Sequence, residues 1–165
     1  MIYILDAYNV IHKIRGLDRA LDKDLRAARE ALVALCAGYA SGRGDVSKII
    51  VVFDGKTEFH GLPNPAPAKI KIIFSDTGED ADERIILVLE DLSRQPRKCV
   101  VSDDNFVRNQ ARAHQTPVMS VAEFETKVRG LKKPKAGGTS PSEKSALPQN
   151  LADQITAAYK KELGL

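Results

Sequence analysis

The sequence has few of the residues that mark the best-known kinds of functional site. Among its 165 residues there are only two cysteines and three histidines. Cys36 and Cys99 are too far apart for the short spacings of a zinc site, and no two histidines stand at ligand spacing. A glycine-rich phosphate loop and a G-x-S-x-G sequence are also absent, so neither a P-loop nor a serine-hydrolase site is indicated. We expect both cysteines to be small core residues.

Long hydrophobic runs are absent as well. No apolar segment approaches the roughly 20 residues of a membrane span, and the first residues lack the basic start of a secretory leader. We therefore expect a cytoplasmic protein with no membrane partner. A hydrophobic content of 43% is sufficient for one domain with its own core.

Most of the chain has no net charge, and an excess of basic over acidic residues is found only near its end. Residues 1–129 carry 19 basic and 19 acidic side chains, whereas residues 130–165 carry six and three. We predict a domain over residues 1–129, a basic flexible linker rich in Lys, Pro, Gly and Ser over 130–149, and a C-terminal helix over 150–165. A basic tail is typical of contact with a polyanion, although a solvated tail without a partner has the same composition.

The pattern of the remaining residues is an alternation of strands and helices. Short apolar runs predict strands, most of them buried, at residues 1–5, 48–53, 69–74, 98–101 and 117–119. Helical spacing of apolar residues predicts helices at 25–39, 84–92, 105–114 and 121–128. A connector through Gly16 and a long irregular loop at 56–68 complete the series. The predicted fold class is α/β, a three-layer sandwich built on a parallel sheet with right-handed crossovers.

Acidic side chains stand where these strands end or where the next helix begins. They are Asp6, Asp54, Asp80, Asp82, Asp103 and Asp104. Because the carboxyl ends of parallel strands meet at one edge of a sheet, we expect these acids to face that edge together. Any single acid of this kind is typically a turn or cap residue, but four acids within residues 79–83 exceed what a helix cap requires. Like charges this close cost free energy unless a cation offsets them.

Such a set of carboxylates is suited to a hard divalent cation, Mg²⁺ or Mn²⁺. A cation held there can orient a water molecule, lower its pKa and neutralise the charge of a phosphodiester. A cleft lined with carboxylates repels nucleic acid, so we expect any activity on it to depend on metal. The loop at 55–68 and the basic tail are predicted to select the substrate, and His12 and His60, expected in loops near the cleft, could contact phosphate.

Four motifs resemble, in order and spacing, those of a known family. They are ILDAYNVI at 4–11, VFDG at 52–55, ADERI at 81–85 and VVSDD at 100–104. Together they resemble the NYN domains of the PIN-like nuclease superfamily, and among these the YacP-like proteins, which include a ribosome-associated endoribonuclease. The resemblance covers residues 1 to about 129.

The resemblance implies a metal-dependent endoribonuclease with an acidic Mg²⁺ site on a parallel sheet, acting on RNA and associated with the ribosome. Asp6 and Asp82 would be the principal metal ligands, and Asp54 and Asp103 would complete the cluster directly or through water. Asn9 matches the asparagine of the family and would hold or orient an acid or the scissile phosphate.

Two features leave the set of metal ligands open. Asp80 stands where relatives tend to have an uncharged residue, and either Asp103 or Asp104 could face the site. Two other functions also remain open. A phosphotransferase that forms an aspartyl-phosphate would need an acid two residues after the first strand's Asp, where this chain has Tyr8. A non-catalytic RNA- or ribosome-binding module is the second alternative, and the oligomeric state is not indicated by the sequence.

Overall fold

The computed structural model describes residues 1–55, 65–76 and 78–130. Within these ranges, strands β1 to β5 form a single sheet with the order β3-β2-β1-β4-β5, and every neighbouring pair is parallel. The strands are β1 Ile2–Asp6, β2 Lys48–Phe53, β3 Ile70–Phe74, β4 Lys98–Val101 and β5 Val118–Met119. The parallel sheet predicted from the apolar runs is confirmed.

Helices cover both faces of this sheet. They are α1 Ala7–Lys13, α2 Leu17–Lys23, α3 Leu25–Ala40, α4 Ala81–Asp91, α5 Asn105–Ala113 and α6 Val121–Val128. The first three helices and α6 pack on the face that carries Tyr3 and Leu5, and α4 and α5 pack on the face that carries Ile4. The predicted three-layer α/β arrangement is therefore confirmed. None of these described helices is both long enough and apolar enough to cross a membrane.

The sequence prediction is wrong between β1 and α3. In place of a connector, the chain forms α1 and α2, each seven residues long and separated by Gly16, whose φ is 101°. A helix of two turns contains too few apolar residues for a helical period to be recognised in the sequence. Val10 and Ile11 of α1 are nevertheless fully buried. His12 accordingly lies near the end of α1 rather than in a loop.

Both cysteines are core residues, as predicted. Cys36 lies on α3 and Cys99 on β4, both thiols are free, and both are buried. Burial raises the pKa of Cys36 to about 12 and that of Cys99 to about 11, so neither is a reactive thiolate at neutral pH.

Some of the expectations concern residues outside the described ranges. They are the roles of His60, of residues 56–64 of the predicted loop, and of the linker and terminal helix beyond residue 130. These expectations stay predictions.

The position of β1 determines where the site forms. It pairs with β2 on one side and β4 on the other, so that Leu5 lies between Val51 and Val101. Asp6, the last residue of β1, therefore emerges at the carboxyl edge between the ends of two neighbouring strands.

Gly55 allows the chain after β2 to approach the chain after β3 closely. Its amide donates a hydrogen bond of 2.9 Å to the hydroxyl of Ser75, and the Ser75 amide donates one of 3.0 Å to the carbonyl of Phe53. A Cβ atom at Gly55 would lie 2.5 Å from the carbonyl oxygen of Ser75 and 2.8 Å from the Cβ of Phe74. Only glycine fits here without moving the backbone.

We predict that Gly55→Ala lowers the free energy of unfolding by about 1–3 kcal/mol, the usual cost of overpacking. The matched control is Gly38→Ala in α3, where an added Cβ meets nothing within 4 Å. That change should raise the free energy of unfolding by about 0.5–1 kcal/mol, since alanine is the better helix former. Urea unfolding of both variants measures the difference, and equal effects would contradict the close approach.

Candidate active site

Asp6 is the most deeply buried acid of the candidate site, with only 7% of its surface exposed. The hydroxyl of Ser102 donates a hydrogen bond of 3.2 Å to its Oδ2 atom. Burial raises the pKa of Asp6 above its ordinary value, and the charges of Asp104 and Asp54 raise it further. The Ser102 hydroxyl and the backbone amide of Asn9 favour the charged form but do not reverse the shift.

Asp82 lies in the first turn of α4 and is half-buried. Its pKa is raised to about 6, first by burial and then by the charges of Asp6, Asp104, Asp80 and Asp54. The parallel pairing of β1 with β2 and β4 brings the ends of these three strands to one edge of the sheet, and Ala81 at the start of α4 packs in the same cluster as Ile4 and Val52. The structure thus brings together acids from the end of β1, the exit of β2, the start of α4 and the connection from β4 to α5, and we call these five the acid cluster.

The two acids of the doublet after β4 have different surroundings. Oδ1 of Asp103 accepts a hydrogen bond of 3.1 Å from the Val121 amide at the start of α6. Oδ1 of Asp104 accepts one of 3.0 Å from the Val107 amide and caps α5. Only the charge of Asp104 is among those that raise the pKa values of Asp6 and Asp82. We therefore count Asp104 in the acid cluster, while Asp103 contacts the start of α6.

Asn9 connects the start of α1 to the connection after β4. Its Oδ1 atom accepts a hydrogen bond of 2.9 Å from the backbone amide of Asp103. This contact fixes the backbone from which both acids of the doublet project.

Ser102 contacts two acids of the cluster, although the sequence pattern did not single it out. It is fully buried, and its hydroxyl donates to Asp6 while it accepts a hydrogen bond of 3.0 Å from the Asp104 amide. One hydroxyl therefore fixes the positions of Asp6 and Asp104 relative to each other. In the sequence, Ser102 could have been identified as a small polar residue at the end of a buried strand, directly before the acidic doublet.

Asp54 and Asp80 form the solvent-exposed side of the acid cluster. Oδ1 of Asp54 accepts a hydrogen bond of 3.2 Å from the hydroxyl of Ser75, a second buried serine that the sequence reasoning missed. Oδ1 of Asp80 accepts one of 2.9 Å from the Glu83 amide, in a capping box at the start of α4. Asp80 therefore has a structural role as a helix cap in addition to its charge.

The donor atoms of the acid cluster suit a hard divalent cation, because they are all carboxylate oxygens. Among the residues that the structure describes, none of the five acids forms a salt bridge. In the same residues, no three His, Cys, Asp or Glu side chains already surround a point that could hold a metal ion. Mg²⁺ commonly uses one or two carboxylates and keeps several waters, so the acids fit such an ion chemically without forming a closed set of ligands.

A parallel sheet covered by helices on both faces, with acids at its carboxyl edge, is the arrangement expected of a PIN-like domain. The chain belongs to the family of YacP-like NYN domains, whose family model matches residues 3–164. The match continues well past residue 129, where the motif resemblance ends.

Two solved structures of Rae1 (YacP) from Bacillus subtilis have the same fold. One, of a mutant form, is 25% identical, with a TM-score of 0.66 over 79% of this chain and 76% of that chain. A second structure is 24% identical, with a TM-score of 0.61 over 99% of this chain and 88% of that one. A search of curated proteins found no match.

We predict that Ser102→Ala lowers the free energy of unfolding by about 1–3 kcal/mol, because it leaves a buried carboxylate oxygen and a buried amide without their partner. It should also raise the pKa of Asp6 further, since the hydroxyl favours the charged form. Urea unfolding and carboxyl NMR titration measure the two effects.

The matched control for this change is Ser93→Ala, at an exposed position just after α4. The Ser93 hydroxyl has no hydrogen bond to a described residue, so its removal should change the free energy of unfolding by less than about 0.5 kcal/mol. Equal losses at Ser102 and Ser93 would show that the buried hydroxyl does not support the acid cluster.

Proposed function

We propose that the protein is a divalent-cation-dependent endoribonuclease that hydrolyses phosphodiester bonds of RNA at the acid cluster, with Mg²⁺ or Mn²⁺ as its cofactor. The observation that carries this proposal is the set of carboxylates at one edge of the sheet, where the buried Ser102 contacts both the Asp6 carboxylate and the Asp104 amide. Because no Lys or Arg side chain of the described residues pairs with these acids, their negative charge favours binding of a metal ion. Membership of the NYN domain family supports a nuclease.

The acids have different tasks in this proposal. Asp6, which is buried, and Asp82, which is half-buried at the start of α4, would hold the cation, and Asp104 would complete the set. Asp54 is exposed and fixed by Ser75, so it can accept a hydrogen bond from a water molecule bound at the cation. The bound cation would supply positive charge against the phosphate and lower the pKa of that water.

The remaining predicted site residues would act around this centre. Asn9 accepts a hydrogen bond from the Asp103 amide, and the Asp103 carboxylate accepts one from the Val121 amide, so both residues position the chain that carries Asp104. Asp80 would add negative charge beside Asp82 and cap α4. Asp103 and Asp80 also remain candidate metal ligands, since their carboxylates lie at the same edge of the sheet.

We further propose that the RNA is translated mRNA or another RNA presented by a ribosome in the cytoplasm. The resemblance to the YacP-like proteins supports this setting. The excess of six basic over three acidic residues in 130–165 supports contact with RNA.

A cleavage assay with labelled single-stranded and structured RNA tests the enzyme. We expect cleavage in Mg²⁺ or Mn²⁺, none with a chelator, and a loss of roughly a hundredfold or more in Asp82→Asn, as expected when a principal metal ligand is removed. The matched control is Asp91→Asn, the same change at the exposed far end of α4, which should keep its rate within about twofold.

Binding without cutting is the result that would contradict the proposal. If RNA affinity survives the chelator and neither free RNA nor RNA on translating ribosomes is cut, the protein is a non-catalytic RNA- or ribosome-binding module. Deleting residues 132–165 then tests the basic segment, because its loss should weaken binding and reduce the dependence of affinity on salt.

The pKa of Asp82 also predicts how stability depends on pH. Its folded value of about 6 lies above the ordinary 3.8, so the unfolded chain loses this proton first and the folded state becomes less stable as pH rises from about 4 to 6. Asp82→Asn should therefore stabilise the metal-free protein above pH 6, by on the order of 1 kcal/mol after allowance for solvent screening. The gain should vanish near pH 4.

Thermal unfolding at pH 4 and pH 7.5 in a chelator measures this effect. Adding Mg²⁺ or Mn²⁺ at pH 7.5 should then raise the Tm of the wild type more than that of Asp82→Asn, because only the intact cluster binds the cation well. Asp91→Asn is again the control. A stability difference that does not change with pH would contradict the raised pKa of Asp82.

A further inference from the structure

Phe106 differs from the other aromatic residues that the structure describes. Half of its surface is exposed, and it has no ring contact with another described residue. The remaining described aromatics belong to contacting sets, namely Tyr3, Tyr39 and Phe124 in one and Tyr8, Phe53 and Phe74 in the other. An exposed ring of this size gives up the free energy that its burial would supply.

The place of Phe106 in the fold is beside the acid cluster. It lies in the first turn of α5, two residues after Asp104, which caps that helix. The packing of α5 on the sheet is supplied by Val107 and Ala111, which are buried in the core with Ile4. Phe106 is therefore available to a ligand at the carboxyl edge, and the core does not require it.

The charge of the acid cluster makes a neutral contact useful at this position. Five carboxylates repel the phosphates of RNA, so affinity near them has to come from groups other than the RNA backbone or from a bound cation. Stacking of a base on an aromatic ring is such a contact, because it requires no charge and accepts any base.

We propose that Phe106 is a stacking platform for an unpaired nucleobase next to the bond that is cut, which makes the site select single-stranded RNA. This inference rests on the proposed function, because it takes RNA as the ligand of the acid cluster. A base within a duplex has both faces covered by its neighbours, so it does not offer a free face to the ring. The platform therefore accepts unpaired RNA and rejects paired RNA without reading the sequence.

The absence of tryptophan from the chain permits a direct test. Phe106→Trp, made together with Asp82→Asn so that the RNA stays intact, introduces one fluorophore at the proposed platform. Single-stranded RNA should quench its emission. Duplex RNA, and an oligonucleotide whose bases are replaced by abasic sites, should quench it much less.

Leu87→Trp in the same Asp82→Asn background is the matched control. Among the described residues, Leu87 on α4 is the other large exposed hydrophobic residue, with 43% of its surface exposed. A tryptophan there should report no difference between normal and abasic RNA. In affinity measurements, Phe106→Ala should weaken single-stranded RNA binding roughly 5- to 150-fold, the range expected for the loss of one stacked base. Leu87→Ala should change it by less than about twofold, and Phe106→Tyr should retain most of the affinity.

The outcomes separate this inference from the proposed function. Base-dependent quenching at position 106 in a protein that never cuts RNA would keep the platform and remove the nuclease. Metal-dependent cutting with equal affinities for Phe106→Ala and Leu87→Ala would keep the nuclease and overturn the platform. Equal quenching by normal and abasic RNA would also overturn it, and a loss of ribosome binding alone would indicate a protein-docking residue.

Discussion

The pairing of β1 with β2 and β4 is the constraint on which the candidate site depends. Because both neighbours run parallel to β1, the three strands end at the same edge, and Asp6 emerges between them. The connections after β2 and β4 then bring Asp54 and Asp104 toward it, and α4 begins beside it with Asp82. A slip of one residue in β1 would point Asp6 to the other face and separate these acids.

Holding like charges together has a cost, and the surrounding residues limit it. Ser102 and Ser75 are both buried. The hydroxyl of each serine donates a hydrogen bond to one carboxylate and accepts a hydrogen bond from one backbone amide. Burial first, and the neighbouring acids second, raise the pKa values of Asp6 and Asp82 despite this support. Under the proposed function, a bound cation would offset the negative charge that the two serines leave unbalanced.

The sequence was informative where the apolar pattern was long enough. Continuous apolar runs predicted the strands, and the helical spacing of apolar residues predicted α3, α4, α5 and α6. The two short helices after β1 were missed because seven residues carry too little periodicity. Which acid of the doublet joins the cluster was also beyond the sequence, because it depends on the Val121 and Val107 amides that hold Asp103 and Asp104. Those contacts join residues that only the folded chain brings together.

The most direct test of the account is anomalous diffraction from crystals grown with Mn²⁺, recorded on both sides of the manganese absorption edge. The account predicts an anomalous peak at the carboxyl edge of the sheet, within coordination distance of the Asp6 and Asp82 carboxylates, and a much weaker peak in Asp82→Asn crystals. The absence of a peak at this edge under saturating Mn²⁺, or a peak that the substitution leaves unchanged, would contradict the assignment of the acid cluster as a metal site.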